Sequence, residues 1–255
     1  MPLPLLTSTH NPRIKLARAL TKKKERDRTG LFLVEGEKLL REALDSGMRP
    51  HTVFAVEAWW CKNLLEEALD ESFIVSESLM TAISTTDTAV EVVAIFPKPA
   101  QGISIGRPLS LGVATHQLQD PGNLGAIIRS ADAAHADAVF VTEGSTDPWA
   151  PKCVRATMGS CFHLPIISTT LAQVREGYPT TSIYALALSG AESLYHQDLR
   201  GGAIFVIGNE GSGLPDEAIA LTSKTLKIPI PGKAESLNAA MAATVCLFET
   251  VRQRL

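Results

Sequence analysis

Between Ser110 and Ile230 lie six short apolar runs: SLGVAT (110–115), DAVFVT (137–142), FHLPII (162–167), SIYALAL (182–188), AIFVIG (203–208) and TLKIPI (225–230). Several are nearly continuous in Val, Ile, Leu, Ala and Phe. A strand with one wet face alternates apolar and polar residues, whereas a continuous run needs apolar neighbours on both faces, as in a parallel sheet. Helical stretches fall between most of them, at Leu124 to His135, Ala150 to Met158 and Asp216 to Leu221. A last helix runs from about Ser236 to Arg252. Strands alternating with helices make βαβ units with right-handed crossovers. The fold class is α/β, with a C-terminal parallel-sheet domain.

FPKPAQGISIGRP (96–108) holds three prolines and two glycines and reads as an interdomain linker. We therefore divide the chain into residues 1–96, a linker at 97–107, and 108–255. The first part is a smaller α/β domain. Asn11 to Lys24 has helical spacing, LFLVEG is a strand, and EKLLREALDSG a helix closed by Gly47. HTVFAVE, SFIVS and VEVVAIF are strands, WWCKNLLEEAL and SESLMTAIS helices, with Ser76 or Ser78 as N-cap of the latter.

Hydrophobic residues are 45% of the chain and charged ones 20%, enough for a packed core. No apolar run reaches the roughly 20 residues of a membrane span. MPLPLL lacks the basic flank and cleavage site of a leader. Cys61, Cys153, Cys161 and Cys246 form no C-x-x-C pair, so the expectation is reduced thiols, no metal site and a cytoplasmic location. The net charge of −3 hides an asymmetry. His10 to Arg28 carries eight basic and two acidic residues, so this segment is +6 and the rest −9. That is the mark of a localised polyanion contact, although a solvated amphipathic helix is the plainer alternative.

Three clusters carry the chemistry. HQLQDPGNLGAIIRSADA (116–133) leaves a strand and opens a helix. Asn123 and Arg129, nearly two turns apart, are expected to face one way; a common strand–turn–helix with a solvated Arg is the alternative. IFVIGNEGSGLPDEA (204–218) runs from a buried strand into a glycine-rich loop, where exposed backbone can meet a ligand. Its G-x-x-G-x-G spacing is not that of a dinucleotide fold, and no G-K-[ST] of a P-loop follows. LKIPIPGKAESLNAAMAATVCLFETVRQ (226–253) ends a strand at its prolines and starts a helix, with Ser236 as a plausible N-cap. Leu237, Met241, Thr244, Val245, Phe248 and Val251 share one face of that helix, for the core or for a dimer surface.

Taken in order, these clusters resemble the three signature motifs of the SpoU (TrmH-like) family of RNA ribose methyltransferases, in the SPOUT superfamily. Asn123, Gly125 and Arg129 match the first; Gly208, Asn209, Glu210, Gly211, Gly213 and Leu214 the second; Ile228, Pro229, Gly232, Glu235, Ser236, Leu237 and Asn238 the third. The resemblance spans roughly Pro108 to Leu255. Residues 8–44 resemble, more loosely, the ribosomal-protein-like substrate-binding domain of several family members. One departure is Ala240, where many members carry serine, so no catalytic serine is assigned.

The resemblance implies a deep trefoil knot and S-adenosylmethionine held largely by main-chain groups at Gly208, Ile228 and Leu237. It implies Asn123, Arg129, Glu210 and Asn238 as the catalytic set, methyl transfer to a ribose 2′-hydroxyl, and a homodimer whose partner supplies Arg129. The family's usual base is that arginine. A guanidinium is almost always protonated, so its role as base stays open; Glu210 could orient it. RNA rather than DNA is the partner, ribosomal RNA ahead of transfer RNA, and ribosome methylation for antibiotic resistance is one variant. Charge reversal at Lys22, Lys23 and Lys24 is expected to weaken RNA binding. A non-enzymatic RNA-binding protein, a nucleotide-dependent oxidoreductase and a base methyltransferase are the competing readings.

Overall fold

The structure, a computed structural model, describes residues 3–63, 71–86, 88, 90–100, 102, 109–188 and 192–255. Its residues group into two compact units. One comprises residues 1–100 together with Trp149–Phe162; the other comprises Gln101–Pro148 and His163–Leu255. The chain thus passes from one unit to the other three times.

The first unit is built on five strands: β1 (Leu5–Leu6), β2 (Leu31–Glu35), β3 (Thr52–Ala55), β4 (Ser72–Val75) and β5 (Val92–Pro97). Their order is β1-β4-β3-β5-β2. β1, β4 and β3 run parallel, and β5 is antiparallel to both β3 and β2. Both faces of the sheet are covered, and the two-residue period divides the side chains between them. Leu33 and Ile95 pack with Phe54 against Ile14, Ala17 and Leu20 of the first helical segment and Leu79, Met80 and Ile83 of α5 (Glu77–Ile83). Their neighbours Phe32 and Phe96 point the other way. Phe32 meets Trp149 at 4.7 Å between ring centroids and Phe162 at 6.5 Å. Three other helices have positions close to those expected: α3 (Glu37–Asp45), α4 (Glu57–Lys62) and α7 (Pro151–Thr157). The expected helix from Trp59 to Leu69 extends at 64–70 beyond the described residues. Ser76 caps α5 by accepting from the Leu79 N–H, which decides between the two serines.

The basic segment folds as two helices rather than one, α1 (Pro12–Ala19) and α2 (Lys23–Thr29). Asn11 caps the first, its side chain accepting from the Arg13 N–H. The break has a partner for its orphaned carbonyls: the buried Arg26 guanidinium donates to Leu20 O at 2.8 Å and Thr21 O at 2.9 Å. Among the described residues of this unit, Glu35, whose side chain is 1% exposed, is the other buried charge. It accepts from the Arg155 guanidinium of α7 and from the N–H and O–H of Thr85.

The second unit is the expected parallel sheet. Its strands are β6 (Leu111–Thr115), β7 (Ala138–Val141), β8 (Ile166–Ser168), β9 (Ser182–Leu186), β10 (Glu192–Ser193), β11 (Ala203–Ile207) and β12 (Lys224–Lys227). The order is β10-β12-β9-β11-β6-β7-β8, with every pairing parallel. The central runs are wholly buried, as their composition required. α8 (Leu171–Gly177) and α9 (Asp216–Ile219) pack with Phe140, Ile183, Ile204 and Val206. α6 (Pro121–Ala133) and α10 (Ala239–Arg254) pack against each other, joined by Ser130 and Thr244 hydroxyls 2.7 Å apart.

α10 buries a different face from the one its large apolar residues suggested. Ala240, Ala243, Cys246, Leu247 and Thr250 are buried, while Met241 is 61% and Phe248 45% exposed. Small side chains let α10 come close to its neighbours. Its N-cap is Asn238 rather than Ser236, the side chain accepting from the N–H groups of Ala240 and Met241. Among the described residues, no helix is long and apolar enough to cross a membrane.

Candidate active site

All strands of the second sheet point the same way, so the segments leaving β6, β11 and β12 gather at one edge. Carboxyl ends of parallel strands are where α/β sheets hold ligands. The three sequence clusters are these three segments.

The first turns sharply. Gln117 adopts φ 56°, and Asp120 caps α6 by accepting from the Gly122 N–H, with Pro121 in the first turn. The second closes on itself. Asn209 and Gly213 exchange two main-chain hydrogen bonds of 3.0 Å, and the Asn209 side chain accepts from the N–H groups of Gly211 and Ser212. This closure explains Gly208: a Cβ there would lie 2.5 Å from the Gly213 carbonyl. Its own loop demands the glycine, beyond any ligand. Asn209 also donates to Gln117 O at 2.9 Å, tying the second loop to the first.

Three of the four candidate catalytic residues form one hydrogen-bonded chain. Asn238 Nδ2 donates to Asn123 Oδ1 at 2.9 Å, and Asn123 Nδ2 donates to Glu210 Oε1 at 3.0 Å. Glu210 also accepts from the main-chain N–H of Asp120 at 3.1 Å and of Gln119 at 3.2 Å. Its carboxylate thus sits at the N-terminus of α6, where the helix dipole favours an anion. Partial burial pushes the Glu210 carboxyl up, but the Asn123 side chain and these main-chain donors outweigh it and hold the group below its ordinary value. It is an anion at neutral pH, with its lone pairs committed to ordering two loops.

Arg129 is not part of this chain. It is exposed on α6 and has no hydrogen-bond or ion-pair partner among the described residues. The expectation that it faces with Asn123 fails on helical geometry: six residues at about 100° each leave the two side chains about 120° apart. Nor does Glu210 orient it within one chain, since that carboxylate is taken by Asn123, Gln119 and Asp120.

Beside the asparagine–glutamate chain lies a cavity of about 450 Å³ lined by Gly208, Ile228 and Leu237, the three residues expected to hold a cofactor. Ile207, Leu214 and Ile230 supply further apolar wall, and the 208–213 loop and Ser236 supply polar edge. A cleft of this size, with apolar wall and polar edge in similar measure, suits a small ligand. Sequence reasoning missed Gln117, Gln119 and Asp120 as the groups that receive Asn209 and Glu210. The signal was the run of polar residues directly after a buried strand. Ala240, the departure from the family pattern, is 3% exposed, and its N–H is held by Asn238.

Comparison with known proteins gives two family matches. The SpoU rRNA Methylase family matches residues 110–248, and the MRM3-like substrate binding domain matches residues 11–94. The 23S rRNA (guanosine(2553)-2′-O)-methyltransferase RlmP of Bacillus subtilis is 31% identical, over 95% of this chain and 97% of its own. The crystal structure of AdoMet-bound rRNA methyltransferase from Sinorhizobium meliloti superposes with a TM-score of 0.86 at 35% identity, covering 98% of both chains. The SpoU methyltransferase AviRb from Streptomyces viridochromogenes, in complex with AdoMet, gives a TM-score of 0.86 at 32% identity, over 96% of this chain and 98% of that one. Motifs, fold and relatives agree, and the chain belongs to the SpoU rRNA methylase family.

Proposed function

We propose that this protein methylates a ribose 2′-hydroxyl of ribosomal RNA, using S-adenosylmethionine. The observation that carries the reading is the chain Asn238–Asn123–Glu210, assembled from three distant motifs beside the cavity lined by Gly208, Ile228 and Leu237. The residues present fit the cofactor. The cavity has the volume and apolar wall for a nucleoside-bearing molecule, and the closed 208–213 loop offers main-chain groups at its edge. When bound, S-adenosylmethionine supplies a methyl group activated on a sulfonium.

The rest falls to the protein. Gly208, Ile228 and Leu237 hold the cofactor. Asn123, Asn238 and Glu210 fix the loops, so that the reacting groups meet in one arrangement. The attacking 2′-hydroxyl must lose its proton. The Arg129 guanidinium stays charged, and is suited to gripping a backbone phosphate or steadying the developing alkoxide. Arg129 completes the site from the partner subunit of a homodimer, which explains its isolation within one chain. The exposed Met241 and Phe248 of α10 belong to that interface. The first unit docks the RNA, and the RNA's 2′-hydroxyl excludes DNA as substrate. The names of the relatives favour ribosomal RNA, and the family's knot is expected around the cavity.

Calorimetric titration with S-adenosylhomocysteine, with NADH alongside, tests the cofactor. Binding of the first alone supports the reading; binding of NADH alone overturns it. Arg129→Ala is expected to abolish 2′-O-methylation of ribosomal RNA, read by mass spectrometry of nucleosides, and to keep its affinity for S-adenosylhomocysteine. Loss of that affinity would remove the role given to Arg129.

A further inference from the structure

The first unit has its own cleft, of about 460 Å³, walled by Lys15, Arg18, Ala19, Thr21 and Lys22 on one side and by residues 82–84 on the other. We propose that it is a subsite for the RNA sugar–phosphate backbone, with Lys15, Arg18 and Lys22 as its three cations. The proposal rests on the RNA-methylation reading and says where the substrate is gripped.

The argument comes from sorting the eight basic residues of the segment. Arg13 is paired with Glu71 at 2.7 Å and lies over the Phe73 ring. Lys23 pairs with Asp27 at 2.5 Å and Arg28 with Glu25 at 2.8 Å. Arg26 is buried and caps the end of α1. These four have a carboxylate or main-chain partner within the unit. Lys15, Arg18, Lys22 and Lys24 are exposed and have no ion-pair partner among the described residues. Three of these four line the cleft. Lys15 and Arg18 stand three residues apart on α1 and so share a face. Lys22 follows in the turn.

No acidic side chain is among the residues lining the cleft. Three uncompensated cations in a concave site repel one another, and an anion with several charges in a row relieves this. The lining also lacks an aromatic platform, so bases are not read by stacking. Backbone contact of this kind sets affinity and register, not sequence.

The test is binding of transcribed 23S ribosomal RNA by the full-length protein over a range of salt. Lys15→Gln, Arg18→Gln and Lys22→Gln are combined in one variant; Lys23→Gln and Arg28→Gln form the control. Freeing three phosphates should lower the slope of log affinity against log salt by about 2, and affinity at 0.1 M salt by about a hundredfold. The loss should be similar for unrelated RNA sequences. The control should stay within about twofold of the parent, and both variants should keep their affinity for S-adenosylhomocysteine. An unchanged slope in the triple variant, or an equal loss in the control, overturns the subsite while leaving methylation intact. A parent that binds RNA through these cations but never methylates it supports the subsite and overturns the enzymatic reading. A parent that binds no RNA overturns both.

Discussion

Asn123 is the residue on which the site turns, because it donates to Glu210 and accepts from Asn238 at once. Asn123→Asp keeps the shape and the acceptor but sets a second carboxylate about where a 3.0 Å donor stood. Two carboxylates so close cannot both ionise easily, and one is pushed up. In the parent, Glu210 lies below its ordinary value of 4.5, so the ordering it provides is complete above that value and is lost as pH falls through the lower native one. In Asn123→Asp the acid limb of kcat/KM should move to higher pH, with a fall of about a hundredfold at neutral pH from misplaced groups. A pH profile identical to the parent's would show that the contact is incidental. Gly208→Ala tests the neighbouring loop. Its Cβ would sit 2.5 Å from the Gly213 carbonyl and 2.7 Å from Leu214 N, so the loop must open. Affinity for S-adenosylhomocysteine should drop at least about tenfold, roughly 1.4 kcal/mol, by calorimetry. These residues are named through the resemblance to three family motifs, whose glycine and amide side chains stand where apolar strands stop. What they bond to could not be named, because Gln119 and Glu210 lie far apart along the chain.

Strands were the most legible elements, since a run such as AIFVI has no other comfortable place than a sheet interior. Helix limits and faces were less so. α10 misled because its bulkiest apolar residues are not its core residues: close approach to α6 selects Ala240 and Ala243, a preference that counting hydrophobic side chains overlooks. The strands β1 and β10, two residues each, carry too few side chains to show a period. α7 was placed in the sequence, but the pairing of its half-buried Arg155 with the buried Glu35 was not, because Glu35 lies 120 residues away. Arg155→Met would leave the Glu35 carboxylate in the interior with only Thr85 to answer it, costing about 3 kcal/mol. Combining it with Glu35→Gln should recover most of the loss in urea unfolding, since the stranded charge is then gone. Equal instability of the single and double variants would mean that packing alone holds α7.

For the molecule as a whole, the role proposed for Arg129 implies a second copy of the chain at the site. The protein should scatter light as a dimer at micromolar concentration. Met241→Asp with Phe248→Asp should yield a monomer that retains its fold by circular dichroism but no longer methylates RNA. A dimer that survives those changes would move the interface elsewhere. The Pro- and Gly-rich stretch at 96–108 reads as a single linker, whereas the compact units change at 100/101, 148/149 and 162/163. The return of Trp149–Phe162 to the first unit was not legible, because nothing local marks a helix as serving a distant sheet. That return limits how such a chain can be rebuilt. Joining residues 108–255 to a foreign RNA-binding module would orphan Trp149 and Phe162, which pack on Phe32, and would strand Arg155 without Glu35. Along the chain the two units alternate rather than follow one another. Gene fusion or domain shuffling could exchange the first unit of this scaffold only if the fourteen-residue return were redesigned with it.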